Sequence, residues 1–444
     1  MDYKNYFKNK KITVMGLGLL GRGVGDVEFL AFCGARLTVT DLKSKKELAS
    51  SLAQLKKFKN IEYVLGRHLL KDFRACDMVI KAAGVSLTSV YIAEAKKHNI
   101  RIEMSASFVA KLSGATIIGI TGTRGKSTVT HLIYNILKQA GKRVFLGGNI
   151  RGMATLQLLR RVKRGDIVVM ELDSWQLQGF GDSKISPHIS VFTTFLPDHM
   201  DYYGGSMARY WHDKGHIFKY QVKGDYLITG KAVAKKIRKE SKKPASKLIV
   251  ADRVTLGEGI RLHILGEHNR DNAALAAAAA TMLGIKQRII KKTIEDFRGI
   301  EGRLQYIKTV RGVKIYNDNY STTPDATIVA LKSLTVRTAE QRRIVLILGG
   351  SDKGLDVSEL MREIPRCCKA VVLLEGIDTN ILRIKNQGLK VKRVRNLRSA
   401  ISEAVRFSKR GDIVLFSPAF ASFGLFKNEF DRGDQFVNLV KRLR

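Results

Sequence analysis

The stretch Ile117-Ile118-Gly119-Ile120-Thr121-Gly122-Thr123-Arg124-Gly125-Lys126-Ser127-Thr128 decides how this chain is read. A short apolar run predicts a buried strand, the glycines a turn, and the pattern over 129–139 a helix. Strand, glycine turn and helix in that order make a phosphate cradle. Backbone N–H groups unhindered by side chains close around phosphate oxygens, and the helix N-terminus adds positive potential. Lys126 is placed to reach the outer phosphates of a nucleoside triphosphate, and Ser127 or Thr128 to ligate Mg²⁺. The general G-x-x-x-x-G-K pattern would want glycine at Ile120, so the match is to the shorter form T-G-T-x-G-K-S-T. A plain strand–turn–helix corner is the competing reading, but Gly-Lys-Ser-Thr at such a junction seldom arises from packing alone.

Upstream, Ile12-Thr-Val-Met15 reads as a strand, followed by Gly16-Leu-Gly18-Leu-Leu-Gly21, a helix reaching about Cys33, and a second strand closed by Asp41. That is a G-x-G-x-x-G dinucleotide fingerprint in its required context. Further strands are expected at 78–80 and 101–104. Downstream of the P-loop, strands are expected at 143–146, 166–170, 189–192, 225–229 and 247–250, and an alanine-rich helix at 272–281. The alternation then repeats, with strands at 313–316, 344–348, 370–374 and 413–416 and an amphipathic closing helix. The fold class predicted is α/β, with three domains in series. A Rossmann-like domain spans 1–112, a P-loop ATPase-type domain 113–300 and a second Rossmann-like domain 301–444.

Composition bounds the function. The 444 residues are 45% hydrophobic, ordinary for globular domains. No run approaches the ~20 apolar residues of a membrane span, and the first residues lack a signal-peptide core. Cys33, Cys76, Cys367 and Cys368 show neither zinc spacing nor a disulfide framework. A cytoplasmic monomer without membrane insertion is expected. Net charge is +38, from 78 basic and 40 acidic residues, an excess that would suit nucleic acid. Yet the cations are spread along the chain. The densest cluster, over 231–243, reads as a solvated helix without RNA-binding aromatics, so no specific nucleic-acid partner is expected.

Polar clusters follow strand ends. Glu171 stands where a sheet carboxylate holds Mg²⁺ beside a P-loop, although a surface loop would look similar. Asp198-His199-Met200-Asp201 offers imidazole and carboxylates to a second metal, or a structural histidine. Asn269 or Asn272 suits base recognition, and Asp271 or Asn272 would serve equally well as a helix cap. Asn317-Asp318, Gly349-Gly350-Ser351-Asp352-Lys353 and Ser417-Pro418-Ala419 all lie after strand C-termini, the ligand-binding edge of an open α/β sheet.

Taken with Gly148-Asn149-Ile150, Glu171-Leu-x-Ser174-x-Gln176-Leu177 and Gly266-x-His268-Asn269, these motifs resemble, in order and spacing over nearly the whole chain, the Mur ligase family of peptidoglycan precursor synthesis. The Gly16–21 turn and the run Ser417-Pro418-Ala419-x-Ala421-Ser422-x-x-x-Phe426-Lys427-Asn428 resemble its members that join D-glutamate to UDP-N-acetylmuramoyl-L-alanine. The resemblance implies ATP, two Mg²⁺ ions and those two substrates. ATP would lie on Gly122, Thr123, Arg124, Gly125, Lys126, Ser127 and Thr128, with Asn269, Asn272, Arg303 and Asp318 at adenine and ribose. Ser127, Glu171, His199 and a carbamylated Lys214, thirteen residues after Asp201, would hold metal. The sugar nucleotide would meet Gly18, Leu19, Leu20, Gly21, Asp41, Gly84 and Asn149, and the amino acid Thr322, Lys353 and Ser422. Leu20, Ala82-Ala83, Asp173, Tyr320 and Glu429-Phe430 depart from the family pattern, removing hydroxyls from the nucleotide site and leaving the amino acid open. Another Mur-type ligase and a folylpolyglutamate synthase are same-class alternatives, the latter disfavoured by the first domain. A nicotinamide-dependent dehydrogenase would leave the P-loop unexplained.

Overall fold

The computed structural model describes residues 2–443 except 20, 87, 241–243, 257–258, 336–341, 352–353, 375–388, 423–424 and 427, and omits the side chains of 254 and 255. Leu20 and Lys353, both expected at the site, therefore lie outside the described residues.

Hydrophobic runs too continuous for a half-exposed sheet predict parallel strands covered on both faces, and three such sheets form. The first comprises β1 (Lys11–Met15), β2 (Arg36–Asp41), β3 (Ile61–Leu65), β4 (Met78–Lys81) and β5 (Arg101–Glu103), in the order β3-β2-β1-β4-β5, all parallel. The order reverses at β1, which puts the Gly16–21 turn at the switch point where open α/β sheets bind ligands. The second comprises β6 (Thr116–Thr121), β7 (Val144–Gly148), β8 (Ile167–Glu171), β9 (Ile189–Phe192), β10 (Tyr226–Thr229) and β11 (Lys247–Val250), ordered β11-β10-β9-β6-β8-β7. The P-loop strand β6 is central, and β8 beside it ends in Glu171, level with Ile120.

The helix Lys126–Gln139 shows why this layer is stable. Val129, Leu132, Ile133, Ile136 and Leu137 recur at helical spacing and are all fully buried. Each contributes about 1.5–3 kcal/mol of burial. In the helix His268–Met282, Ala273 to Ala280 are all buried, a close approach that only small side chains permit.

The third sheet comprises β12 (Gln305–Val310), β13 (Val313–Asn317), β14 (Ile344–Leu348), β15 (Cys368–Leu374), β16 (Lys390–Val394) and β17 (Ile413–Phe416), ordered β12-β13-β17-β14-β15-β16. It is parallel except for β12, an antiparallel edge. β3, β12 and β16 were not expected from the sequence. β12 and β16 lie at sheet edges, where the exposed Lys390, Lys392 and Arg393 of β16 and the polar Gln305, Lys308 and Thr309 of β12 hide a strand's apolar signal. Met104, expected in a strand, instead precedes the helix Ser105–Leu112 as its cap.

The chain folds as two units. One holds Met1–Ile260 and Asp271–Ile294, the other Arg261–Arg270 and Glu295–Arg444. Within the first unit, the first two sheets are locked together through the helix Arg22–Phe32. Asp26 accepts from the Leu156 N–H at 3.0 Å and from the Ser105 hydroxyl, and Gln157 Nε2 donates to Gly25 O at 2.9 Å. A Cβ on Gly25 would lie 2.3 Å from the Ala154 methyl carbon, so the two backbones approach as closely as glycine allows. Burial pushes the Asp26 carboxyl up to about 6 against these hydrogen bonds. Among the described residues, no helix is long and apolar enough to cross a membrane.

Candidate active site

The phosphate cradle forms where the glycines require it. Gly122 adopts φ +145° and Gly125 φ +85°, and a Cβ would fall 2.0 Å from Thr193 Oγ1 at the first and 2.3 Å from Asn272 Oδ1 at the second. The loop is fastened to the exit of β9. Thr123 Oγ1 pairs with the backbone of Leu196, the Arg124 N–H donates to Thr194 Oγ1 at 2.8 Å, and the Arg124 guanidinium meets Asp198 at 2.9 Å. Lys126 Nζ donates to the carbonyls of Gly122 and Thr123 at 3.0 and 3.1 Å. Ser127 and Thr128 open the following helix.

Lys214, on the helix Met207–Gly215, is 1% exposed and donates to Gly122 O at 2.9 Å and Thr121 Oγ1 at 3.3 Å. Its amine thus touches the base of the cradle. Burial, reinforced by the Lys126 charge, holds its pKa well below the ordinary lysine range. Burial that disfavours the ammonium form favours the free amine, the nucleophilic form that would take up carbon dioxide as an anionic carbamate. His199 adopts φ +55° and packs its ring 4.8 Å from that of Trp175. Burial raises the neighbouring Asp198 carboxyl, but His199, Arg124 and Lys126 outweigh it and hold it below its ordinary value.

Glu171 is buried at the end of β8, and Asn149 Nδ2 lies 3.5 Å from its Oε1. The carboxylate, the Ser127 hydroxyl, the His199 imidazole and a carbamate on Lys214 would make an oxygen-rich donor set suited to Mg²⁺. The cradle that a Cβ would fill is the observation on which that fit rests. Asp173 caps the helix Ser174–Asp182 in a capping box with Gln176, accepting at 2.7 Å.

At the first sheet, Asp41 Oδ2 accepts from the N–H groups of Leu17 and Gly18 at 2.9 and 3.0 Å, so this carboxylate shapes the Gly16–21 turn itself. Ala82 packs against Gly16, where a Cβ would be 2.9 Å away. Gly84 lies just beyond β4, and Leu19 is half exposed on the turn.

In the second unit, three strand-exit loops converge. Asp318 accepts from Leu304 N, Ser321 Oγ and Ser417 Oγ, and burial pushes its carboxyl up to about 6. Arg303 donates to Tyr320 O at 2.9 Å and covers the Tyr320 ring. Ser351 and Ala421 pair as an isolated bridge beside buried Ser422, and Thr322 follows Tyr320 on the β13 exit. Asn269 donates to Leu265 O at 2.6 Å.

Three residues carry weight that sequence reading missed. Arg432 is fully buried and donates to Asn319 Oδ1, Asn319 O and Phe420 O, tying the β13 and β17 exits to the closing helix Glu429–Lys441. Burial lowers its pKa to about 10. It lies four residues before Phe436 on the apolar helix face, the one available signal. Lys81 is 1% exposed, donates to Val85 O at 2.8 Å and lies 3.5 Å from Gln178 Oε1, and burial lowers its pKa to about 8. Arg22 Nη1 donates to Asn149 Oδ1 at 2.6 Å.

A P-loop sheet carrying a buried carboxylate and a buried lysine, between a switch-point turn and a third α/β module in sequence, is the plan of a nucleotide-dependent ligase. Comparison with known proteins agrees. Sequence models match at 10–103 (Mur ligase MurD-like, N-terminal domain), 120–253 (Mur ligase middle domain) and 302–420 (Mur ligase, glutamate ligase domain). The chain belongs to the Mur ligase family. It is 38% identical to the UDP-N-acetylmuramoylalanine–D-glutamate ligase of Borreliella afzelii, covering 98% of each chain. It is 32% identical to the enzyme of that name from Streptococcus mutans, covering both chains fully. Among solved structures, the UDP-N-acetylmuramate–alanine ligase MurC of Thermotoga maritima superposes with a TM-score of 0.64 at 20% identity, over 98% of this chain and 99% of that one. MurF ligase from the same organism, in complex with ADP, gives 0.60 at 17%, over 91% and 95%. These two likenesses speak to the fold.

Proposed function

We propose that this chain is an ATP-dependent ligase that adds D-glutamate to UDP-N-acetylmuramoyl-L-alanine in peptidoglycan precursor synthesis. Its three modules would be 1–112 for the sugar nucleotide, 113–300 for ATP and 301–444 for the amino acid. The observation that carries the reading is the Lys214 amine seated against Thr121 and Gly122 at the base of the cradle. Full-length likeness to the Borreliella and Streptococcus enzymes supports the choice of substrates.

The reaction follows from the residues. The alanyl carboxylate attacks the γ-phosphorus of ATP, ADP leaves, and an acyl phosphate forms. The amine of D-glutamate then attacks the acyl carbon, loses its proton, and expels orthophosphate, leaving the amide. Gly122, Thr123, Arg124, Gly125 and Thr128 wrap the phosphates, and Lys126 turns from its loop carbonyls to the γ-phosphate as charge develops there. Ser127, Glu171, His199 and carbamylated Lys214 would hold two Mg²⁺ ions. When bound, these ions supply charge neutralisation across the reacting carboxylate and phosphate. Asn272, against Gly125, together with Asn269, Arg303 and Asp318, recognises adenosine. Gly18, Leu19, Leu20, Gly21, Asp41, Gly84 and Asn149 position the sugar nucleotide, and Thr322, Lys353 and Ser422 receive the carboxylates of D-glutamate. The cytoplasm, where these substrates are made, is the proposed setting for a monomer.

The test is phosphate release from ATP with UDP-N-acetylmuramoyl-L-alanine and a panel of D- and L-amino acids. Release is expected only with both substrates and strongest with D-glutamate, and ¹⁸O placed in the alanyl carboxylate should pass into orthophosphate. Equal release without the sugar nucleotide would sink the proposal.

A further inference from the structure

Two histidines and an aspartate crowd the last turn of the helix Met207–Gly215. His212, Asp213 and the following His216 each bring an imidazole nitrogen or a carboxylate oxygen within 4.8 Å of the other two. At 3.6 residues per turn they span about 100° of the helix circumference. Lys214, which donates to Gly122 O, leaves the same turn on the other side. A spacing of four puts both imidazoles on one helix face, where two histidines can grip a single ion.

Packing holds this group in place. His216 is 7% exposed. Its ring face lies on Gly181, where a Cβ would be 2.6 Å from Nε2 and 2.7 Å from Cδ2 and Cε1. The Tyr220 ring lies within 7° of parallel to it, with centroids 6.0 Å apart. His216 Nδ1 is buried and has no hydrogen-bond partner among the described residues. An unsatisfied buried nitrogen is costly, and a metal ion would supply the missing bond. The His212 ring stands nearly perpendicular to that of His216, centroids 4.8 Å apart. Asp213 Oδ2 accepts from Gln178 Nε2 at 2.8 Å and from the Tyr203 hydroxyl at 3.1 Å. That leaves Oδ1 facing His212, 3.4 Å from its Nδ1. A carboxylate fixed through one oxygen and presenting the other is oriented as metal-ligating carboxylates are.

We propose that His212, Asp213 and His216 bind a divalent transition-metal ion of the zinc class, with water as the fourth ligand. Imidazole nitrogen suits Zn²⁺ and Co²⁺, whereas Mg²⁺ takes oxygen donors in an octahedron, so this ion differs from those proposed at the cradle. Tetrahedral ligation at about 2.0–2.1 Å sets the ligand atoms about 3.3 Å apart. Packing fixes Asp213 and His216, and the exposed His212 ring turns to close the remaining gap. The ion would staple the turn from which Lys214 reaches the cradle. The inference does not depend on the function proposed above.

The experiment titrates the full chain with Co²⁺ in excess Mg²⁺, without nucleotide. Wild type is expected to bind one Co²⁺ per chain with the visible d–d absorption of a tetrahedral site and no thiolate charge-transfer band. It should release that ion to Zn²⁺, and Zn²⁺ should raise its melting temperature. His212→Ala removes an exposed ligand, and His216→Phe keeps a ring between Gly181 and Tyr220. Each should weaken Co²⁺ binding at least fivefold and abolish the Zn²⁺ effect on melting, while His199→Ala should leave both in place. Should His216→Phe fold poorly, His212→Ala decides alone. A wild type without the tetrahedral spectrum, a loss under fivefold in a folded variant, or loss of the site in His199→Ala overturns the proposal. Each of these results leaves the ligase reading standing, because no nucleotide or substrate enters the titration.

Discussion

Replacing Lys214 by alanine tests the chemistry most directly. The side chain is 1% exposed, and its amine sits 2.9 Å from Gly122 O and 4.9 Å over the Tyr210 ring, against the loop that would hold the triphosphate. If the amine carries a carbamate, the substitution deletes an anionic metal ligand. Losing one preorganised charge-stabilising group at a reacting centre costs roughly 10²–10³ in kcat, or ~2.7–4 kcal/mol. Stability moves less. Thr121 Oγ1 and Gly122 O lose a donor, worth about 1–3 kcal/mol, while the desolvation that lowers the lysine pKa disappears. The assay is phosphate release at saturating substrates and Mg²⁺. Turnover should drop at least a hundredfold, and bicarbonate should not restore it, because no amine remains to accept carbon dioxide. A small carboxylate such as acetate, entering the space left behind, should restore part. Retention of more than about a tenth of the rate, a barrier change under ~1.4 kcal/mol, would refute the carbamate role.

The other expectations are as specific. Gly125→Ala places a Cβ 2.3 Å from Asn272 Oδ1 at φ +85°, so ATP binding measured by calorimetry should be lost while UDP binding persists; ATP affinity within threefold of wild type would contradict the cradle. Asp318 ionises at about 6 in the folded chain against 3.8 unfolded, so the folded state holds the extra proton between those values and stability falls as pH rises through that window. The loss reaches about 3 kcal/mol by pH 7, so the denaturant midpoint of Asp318→Asn relative to wild type should rise between pH 4 and pH 7. A pH-independent difference would show that Asp318 is not the group responsible. Arg432→Met leaves Asn319 Oδ1, Asn319 O and Phe420 O without their guanidinium and should cost about 3–5 kcal/mol in urea unfolding; a cost below 1 kcal/mol would mean the β13 and β17 exits do not depend on it.

Much of the fold was legible because its signals are local. The P-loop glycines, the apolar runs of β6, β8 and β14, and the alanine helix each fix their own conformation. The edge strands β12 and β16 were not legible, since Gln305, Lys308, Lys390 and Lys392 mask a strand whose apolar residues number two or three. At the site, Glu171 stood out as a carboxylate at the end of an apolar strand, whereas Lys214, thirteen residues after Asp201, was singled out only through the family resemblance. Arg22, Lys81 and Arg432 could not be singled out, because their roles come from partners 127, 97 and 113 residues away. No periodicity reports such a partner. Asp41 was legible in part. Its place at the end of β2 suggested a ligand contact, and the structure adds a role no pattern announced, its oxygens accepting from the Leu17, Gly18 and Lys43 N–H groups.

The contact of Gly25 with Ala154 has a consequence for exchanging parts between relatives. With a Cβ at 25 only 2.3 Å from the Ala154 methyl carbon, position 25 does not tolerate a side chain while Ala154 stays fixed. A chimaera that grafts a foreign first module onto residues 113–294 must therefore import its own counterpart of position 154, together with the acceptor of the Leu156 N–H. Grafts that keep the cognate pair should assemble, and mismatched ones should come apart at this seam before either module melts.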